Sequence, residues 1–457
     1  MLDSSIMSAL PISELNVNKL PVCEGHVLLR VQDEIVPPIP ETIDDAGLSE
    51  SIIEQLILKN LFFRSEILGR ELASLIGFKF SLIEQIMESF KHQHLVQVKR
   101  SLGMGSASSV FTLSEAGRNM AREFLELNQY TGPAPVPLYQ YSILVRKQRR
   151  KPGWLTPQNL THTYRKMVMT PELLAHLGPA VGSGNSFLIY GQPGNGKTYV
   201  AEALVNVDDS YIYVPYAIEC QGHIVQVFDP IYHQRIDDEE VSSVFASEST
   251  WDERFVRCRR PFIVTGGELS MEMLDLNYNS TSKVYDAPFQ VKANNGIYLI
   301  DDFGRQKATP AEVLNRWIVP MERRVDYLSF HSGGKMTVPF EAFLIFSTNL
   351  RPEQLGDEAF LRRIQYKMLI RSPGEAEFGE IFRQYCQSNE LEFTEAQLER
   401  FVDRHYRRTS KAFRRCHPRD VLSHAVNLIH FERRPHALTD DLLDRAFASC
   451  FLEETDE

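Results

Sequence analysis

Eight consecutive residues, Gly191-Gln192-Pro193-Gly194-Asn195-Gly196-Lys197-Thr198, carry the spacing GxxxxGK[ST], which suits a polyphosphate ligand. Glycines let successive backbone N–H groups turn inward, a helix beginning at the end of the run presents its positive end, and Lys197 adds a mobile charge. The Thr198 hydroxyl is a ligand for a hard divalent cation. Two carboxylates, Asp301 and Asp302, close the apolar run Gly296-Ile297-Tyr298-Leu299-Ile300. A buried strand there would deliver Asp301 to a metal-bound water and Asp302 to the water that attacks a phosphorus centre. Asn349 ends another apolar run, Phe343 to Thr348, and its amide can bond a terminal phosphate or the same water. Alone, an Asn at a strand tip is an ordinary turn residue.

Those groups converge only if strands hold them at one edge. Phe187 to Tyr190 predicts a strand entering the glycine run, and Ala201 and Leu204 predict a helix leaving it. The succession of strand, phosphate loop, helix, acidic strand and polar-tipped strand resembles the AAA+ family over about Leu155 to Leu452. Asp357-Glu358-Ala359-Phe360-Leu361-Arg362-Arg363-Ile364 resembles its arginine-finger segment, and Cys416-His417-Pro418-Arg419-Asp420 the start of its sensor-2 helix. Thr309-Pro310-Ala311-Glu312 caps a helix through Leu314 and Trp317. Val325 to Phe330 and Met336 to Phe340 then predict a hairpin just before the Asn349 strand. That insertion, with Phe289 to Gly296, resembles the branch of MoxR-type, magnesium-chelatase-type and enhancer-binding ATPases. No GAFTGA-like loop is present, which counts against an enhancer-binding activator.

The resemblance implies an α/β P-loop AAA+ core with a C-terminal helical lid, preceded by a winged-helix (α+β) domain. Its cofactors would be ATP and Mg2+, with residues 191–198 and Arg419 on the nucleotide, and Thr198 and Asp301 on the metal. Asp302, Asn349 and the trans-acting Arg362 or Arg363 would be catalytic. Where Asp302 stands, many related ATPases carry Glu, and the shorter side chain implies slow turnover. The implied activity is ATP hydrolysis at subunit boundaries of a homo-oligomeric, six-membered ring, remodelling a protein client as a MoxR-like chaperone or assembly factor does. A DNA-acting motor or loader and a slow nucleotide-gated scaffold are the alternatives.

The rest of the chain divides by pattern. Residues 1–45 end in Val36-Pro37-Pro38-Ile39-Pro40 and predict an extended tail. Within 46–130, Leu48, Ile52, Ile53, Leu56 and Ile57 give one helical stripe, and Ile67, Leu68, Leu72, Leu75 and Ile76 a second. A third helix is expected behind a Ser81/Glu84 capping box, and strands at Leu95 to Val98 and Val110 to Leu113 complete an order resembling a winged helix. Nine acids balance nine bases between Ala46 and Asn128, and Glu84, Gln85 and Glu88 would meet phosphates with the wrong sign, so protein docking competes with nucleic-acid binding. Residues 131–154, with Pro133, Pro135, Pro137 and the bases Arg146 to Lys151, predict a linker ending in a charge run that is either solvated surface or a contact with an acidic neighbour or nucleic acid. The nucleotide-binding domain is expected over 155–372 and the helical lid over 373–457.

Composition narrows the classes further. Lys+Arg 49 against Asp+Glu 60 gives a net charge of −11, and 43% of residues are hydrophobic, an ordinary globular balance. No apolar run approaches the ~20 residues of a membrane helix, which predicts a cytoplasmic protein without membrane insertion. Six scattered cysteines suggest neither disulfides nor zinc, and His223, His233 and His417 lack metal spacing. Tyr211 to Arg260 exceeds what the family core needs. Gly266 to Asn279 predicts a helix-2 insertion in which Met271, Met273 and Leu274 serve as pore contacts or core.

Overall fold

The computed structural model describes residues 29–31, 34–236, 250–356 and 361–451 of the chain. At its centre is a five-stranded sheet in the order Phe262–Thr265, Ile297–Ile300, Phe343–Thr348, Phe187–Tyr190, Tyr366–Leu369, parallel throughout. Its central strands are near-continuous apolar runs, because helices cover both faces and leave no side facing water. One face packs Tyr298, Trp317 and Phe346 under the Pro310–Arg323 helix. The other packs Leu177, Ile189, Leu299 and Ile345 under the Pro171–Ser183 helix. Phe187–Tyr190, the first of these five strands in the chain, lies between the fourth and the fifth, so chain order reverses beside it; α/β sheets bind ligands in the crevice at such a point.

Several expected elements stand where the patterns put them. Thr309 and Glu312 form a reciprocal capping box. Val325–Ser329 pairs antiparallel with Lys335–Pro339 ahead of the Phe343 strand. Four helical segments, Glu375–Ser388, Glu395–Val402, Cys416–Glu432 and Asp440–Cys450, pack around Phe378, Phe382, Leu422 and Ala446 at the C-terminal end.

The N-terminal part contains helices Glu50–Arg64, Gly69–Leu75 and Phe80–His92, then strands Val96–Ser101 and Ser109–Leu113, then the Glu115–Leu127 helix. Two local expectations fail here. Ile67 and Leu68 form a strand paired with Phe111 and Val110, where a helix was expected; two apolar residues without a preceding turn complete a sheet more readily than they nucleate a helix. The third helix starts at Phe80 with Lys79 at its N-cap and no side-chain cap bond, so Ser81 lies within the first turn.

Residues 131–154 are not a linker. Val136–Pro137 adds a strand to a second sheet, and Leu138–Lys147 is a helix that buries Tyr141, Leu144 and Val145, spaced as one helical face. Nor is the basic run simply solvated: Arg150 pairs with Asp208 at 3.0 Å and stacks over Trp154, while Arg149 approaches the buried Glu341 carboxylate at 3.5 Å. The end of the expected tail is docked too. Val36 and Pro37 are buried, Ile43–Ala46 forms a helix capped by Thr42, and the Pro37 carbonyl accepts from the Asp252 amide at 3.0 Å.

The second sheet explains the long segment after residue 210. Its order is Asn277–Asn279, Val284–Asp286, His223–Gln226, Ala217–Cys220, Val136–Pro137, with a separate pair formed by Tyr211–Pro215 and Phe255–Arg259. Ala217, Ile224 and Val284 enter the same core as the N-terminal helices. Arg254 locks the contact. Its guanidinium pairs with Asp252 at 2.7 Å, donates to the Ala46 carbonyl at 2.9 Å and lies over the Phe78 ring. The expected helix-2 insertion, Gly266 to Asn279, holds a 3-10 turn, Met271–Leu274, followed by the Asn277–Asn279 strand; Leu274 is core, Met271 packs against core and Met273 is exposed.

Candidate functional site

The phosphate loop joins the carboxyl end of Phe187–Tyr190 to the Lys197–Ala203 helix. Gly191 has φ +150°, and a Cβ there would sit 2.3 Å from the Ile370 carbonyl oxygen. Gly194 has φ +77°, and its Cβ would lie 2.7 Å from Cys416 Sγ. Both positions therefore demand glycine. Asn195 is fully buried and donates through Nδ2 to Ser372 Oγ at 3.3 Å.

Lys197 points back into the loop. Its Nζ donates to the Gly191 and Gln192 carbonyls at 3.1 and 3.2 Å and to Asn349 Oδ1 at 2.5 Å. Burial lowers the lysine's proton affinity, while Asp301 and Asp302 pull the other way. Asn349 Nδ2 in turn donates to Asp302 Oδ1 at 3.0 Å. Beside this chain, Thr198 Oγ1 donates to the Asp301 carboxylate at 2.9 Å. The acidic strand and the Asn349 strand are adjacent and in register, which explains why groups from three distant segments meet. Asp302 has φ +48°, a left-handed conformation that Asp tolerates, and this turn carries its carboxylate over to Asn349.

Thr198 and Asp301 offer hard oxygen donors and no soft ones. That set fits Mg2+, which takes one or two protein oxygens and completes its shell with phosphate and water. No cluster of three or more His, Cys, Asp or Glu among the described residues could hold a metal unaided. His233 is instead a core residue: its Nδ1 accepts from the Asp229 amide at 2.9 Å, and its Nε2 meets the Lys292 carbonyl at 2.9 Å. His417 bonds the Tyr406 hydroxyl at 3.0 Å, and burial pushes its pKa down to about 4.

Arg362 and Arg363 stand apart from this cluster. The Arg363 carbonyl accepts from Ser186 Oγ, at the opposite end of the strand from the phosphate loop, and its guanidinium pairs with Glu322 at 2.8 Å. Arg362 is exposed, with no ion pair among the described residues. Asp357 and Glu358 lie outside the described residues. Arg419 does not reach the loop either; it is 66% exposed and pairs with its neighbour Asp420 at 2.8 Å.

The groups from the C-terminal segment that do touch the loop precede Arg419. The Cys416 amide donates to the Gly194 carbonyl at 2.9 Å, and Arg414 lies against Gly194 with Nη1 bonded to Ser372 Oγ. Sequence reading missed Arg414 and Ser372. The available signal was the pair Arg414-Arg415 directly ahead of a helix start.

A family model described as a domain of unknown function (DUF8689) matches residues 374–449, the C-terminal helical segment. No curated protein matches the chain. A solved structure of NtrX from Brucella abortus is 13% identical with a TM-score of 0.37, covering 74% of this chain and 60% of that one. NtrX in complex with ATP gives 13%, a TM-score of 0.35 and coverage of 66% and 59%. NtrX in complex with ADP gives 13%, 0.35 and coverage of 72% and 60%. The chain thus spans less than two thirds of these proteins' length. Among the described residues no helix is long and apolar enough to cross a membrane.

Proposed function

We propose that this chain is an ATP hydrolase of AAA+ type that assembles as a ring and uses its nucleotide cycle to remodel a protein client. The observation that carries the reading is the single hydrogen-bonded cluster Lys197, Asn349, Asp302 with Thr198 and Asp301 beside it, at the carboxyl edge of a parallel sheet where chain order reverses. The loop amides and Lys197 bind the phosphates, Thr198 and Asp301 hold the metal ion, and Asp302, oriented by Asn349, takes the proton of the attacking water. Bound Mg2+ would neutralise charge on the phosphate oxygens.

Arg362 and Arg363 sit at the far end of the sheet from their own phosphate loop, as a group acting on a neighbouring subunit's nucleotide must. The C-terminal helices supply the moving part. They meet the loop through Cys416 and Arg414, so a change in bound phosphates alters the contacts that hold the two parts together. A protein client suits the N-terminal part better than DNA, since the exposed residues on the Phe80–His92 helix are Ser81, Glu84, Gln85 and His92, with an acid and no Lys or Arg among them.

The test is Lys197→Ala, followed by equilibrium ATP binding, turnover and sedimentation with and without ATP. Loss of nucleotide binding and of ATP-dependent assembly supports the reading. Unchanged affinity removes the phosphate cradle from it. A wild type that binds ATP tightly and forms a ring, yet turns over at background, would favour the scaffold over the remodelling enzyme.

A further inference from the structure

Lys59 is only 1% exposed, yet among the described residues it has no carboxylate partner. It lies on the Glu50–Arg64 helix, and its Nζ donates to Asn128 Oδ1 at 2.8 Å and, more weakly, to the Asn128 carbonyl at 3.4 Å. An ammonium has three N–H bonds to satisfy, and both acceptors belong to one residue. Burial pushes its pKa down to about 8, so at neutral pH most of the population still carries the charge. Buried charges are ordinarily paired, because removing a lone ion from water is costly.

Lys59 borders a cavity of about 300 Å³ between the N-terminal helices and the second sheet. Ser51, Gln55 and Asn128 line it on the side of Lys59, and Glu219 and Ile224 line it on the other. Glu219 Oε1 accepts from the Gly222 amide at 2.9 Å, and the carboxylate makes no ion pair with Lys59. Lys59 and Glu219 therefore line a shared space of mixed polar and apolar walls, with Ile52, Leu56 and Ile224 among them, without pairing. Its volume is at the lower end of small-molecule sites. No residue of the phosphate loop borders it.

We propose that this cavity binds a small zwitterion of the free amino-acid type, with its carboxylate on Lys59 and its ammonium on Glu219. The polar walls from Ser51 and Gln55 would bond the remaining carboxylate lone pairs, and Ile224 would face the ligand's carbon skeleton. Because the walls belong to two parts of the fold, occupancy would tighten the junction between them.

The test is a thermal-unfolding screen of the full chain against each proteinogenic L-amino acid at millimolar concentration, with calorimetry on any that raises the midpoint. The expected result is at least one such ligand, bound at least about tenfold more weakly by Lys59→Met and by Glu219→Gln, as loss of a charged hydrogen bond implies. The analogue of that ligand with hydrogen in place of the ammonium should bind more weakly to the wild type. No shift with any amino acid, or equal affinity in both variants, overturns the proposal. An amine-free analogue that binds as well as the parent also overturns it, by leaving Glu219 without a role.

Discussion

Replacing Asn349 with Ala tests the proposed catalytic cluster at its centre, because among the described residues this side chain alone bonds both Lys197 and Asp302. Removing it frees the Asp302 carboxylate, which then has no side-chain donor among the described residues to fix its direction. A hydrogen bond to a charged group is worth about 1.5–3 kcal/mol, and about 1.4 kcal/mol is a factor of ten in rate, so kcat should fall about ten- to a hundredfold. The Michaelis constant should change less than about threefold, since the loop amides are untouched and Lys197 keeps the Gly191 and Gln192 carbonyls as anchors. Asn349→Asp should be worse than Ala, as it sets a second carboxylate against Asp302. Steady-state hydrolysis across an ATP series, with binding measured separately by a fluorescent ATP analogue, separates these effects. A kcat within a factor of about two of wild type, or a loss confined to KM, would refute the assignment.

The remaining expectations concern assembly and stability. The double variant Arg362→Ala, Arg363→Ala should bind ATP normally and lose hydrolysis; full activity would place the trans-acting group elsewhere. Arg254→Met should destabilise the fold by about 3–5 kcal/mol in denaturant unfolding, because it strands Asp252, whose side chain is 2% exposed. Converting Asp252 to Asn in the same chain should recover part of that, and a cost below about 1 kcal/mol would show the pair is not what joins the parts. Lys59→Met, without added ligand, should be more stable than wild type at pH 7 by about 3 kcal/mol. The sign follows from a folded-state pKa of about 8 against an ordinary value of 10.5: the folded protein gains stability as the pH rises through that window and the lysine loses its proton. The advantage of Met should thus fade between pH 8 and 10.5, and a pH-independent difference would contradict the burial argument.

The phosphate loop was legible because its chemistry demands particular residues at fixed spacing, and Gly191 and Gly194 show why nothing larger fits. Asp301, Asp302 and Asn349 were legible because each ends an apolar strand. What the patterns concealed has a common cause. Strands such as Val136–Pro137 and Asn277–Asn279 are too short to show alternation, and their partners are far away in sequence. Prolines at 133, 135 and 137 read as linker, while Tyr141, Leu144 and Val145 make a short buried face that a ten-residue helix barely displays. Arg414 was passed over because nothing in the sequence says that the start of the Cys416–Glu432 helix docks on Gly194. The charge run at 146–151 left solvent and an acidic neighbour both open for a related reason: its partners Asp208 and Glu341 come from remote segments.

Arg254 and the strand at Val136–Pro137 change what the N-terminal helices can do mechanically. A unit on a leash would wander independently of the sheet beneath it. One bolted to the frame would be swept along as a lever by the proposed nucleotide cycle, turning a small rotation near the sheet into a larger stroke at the turn where Leu102 and Met104 are exposed.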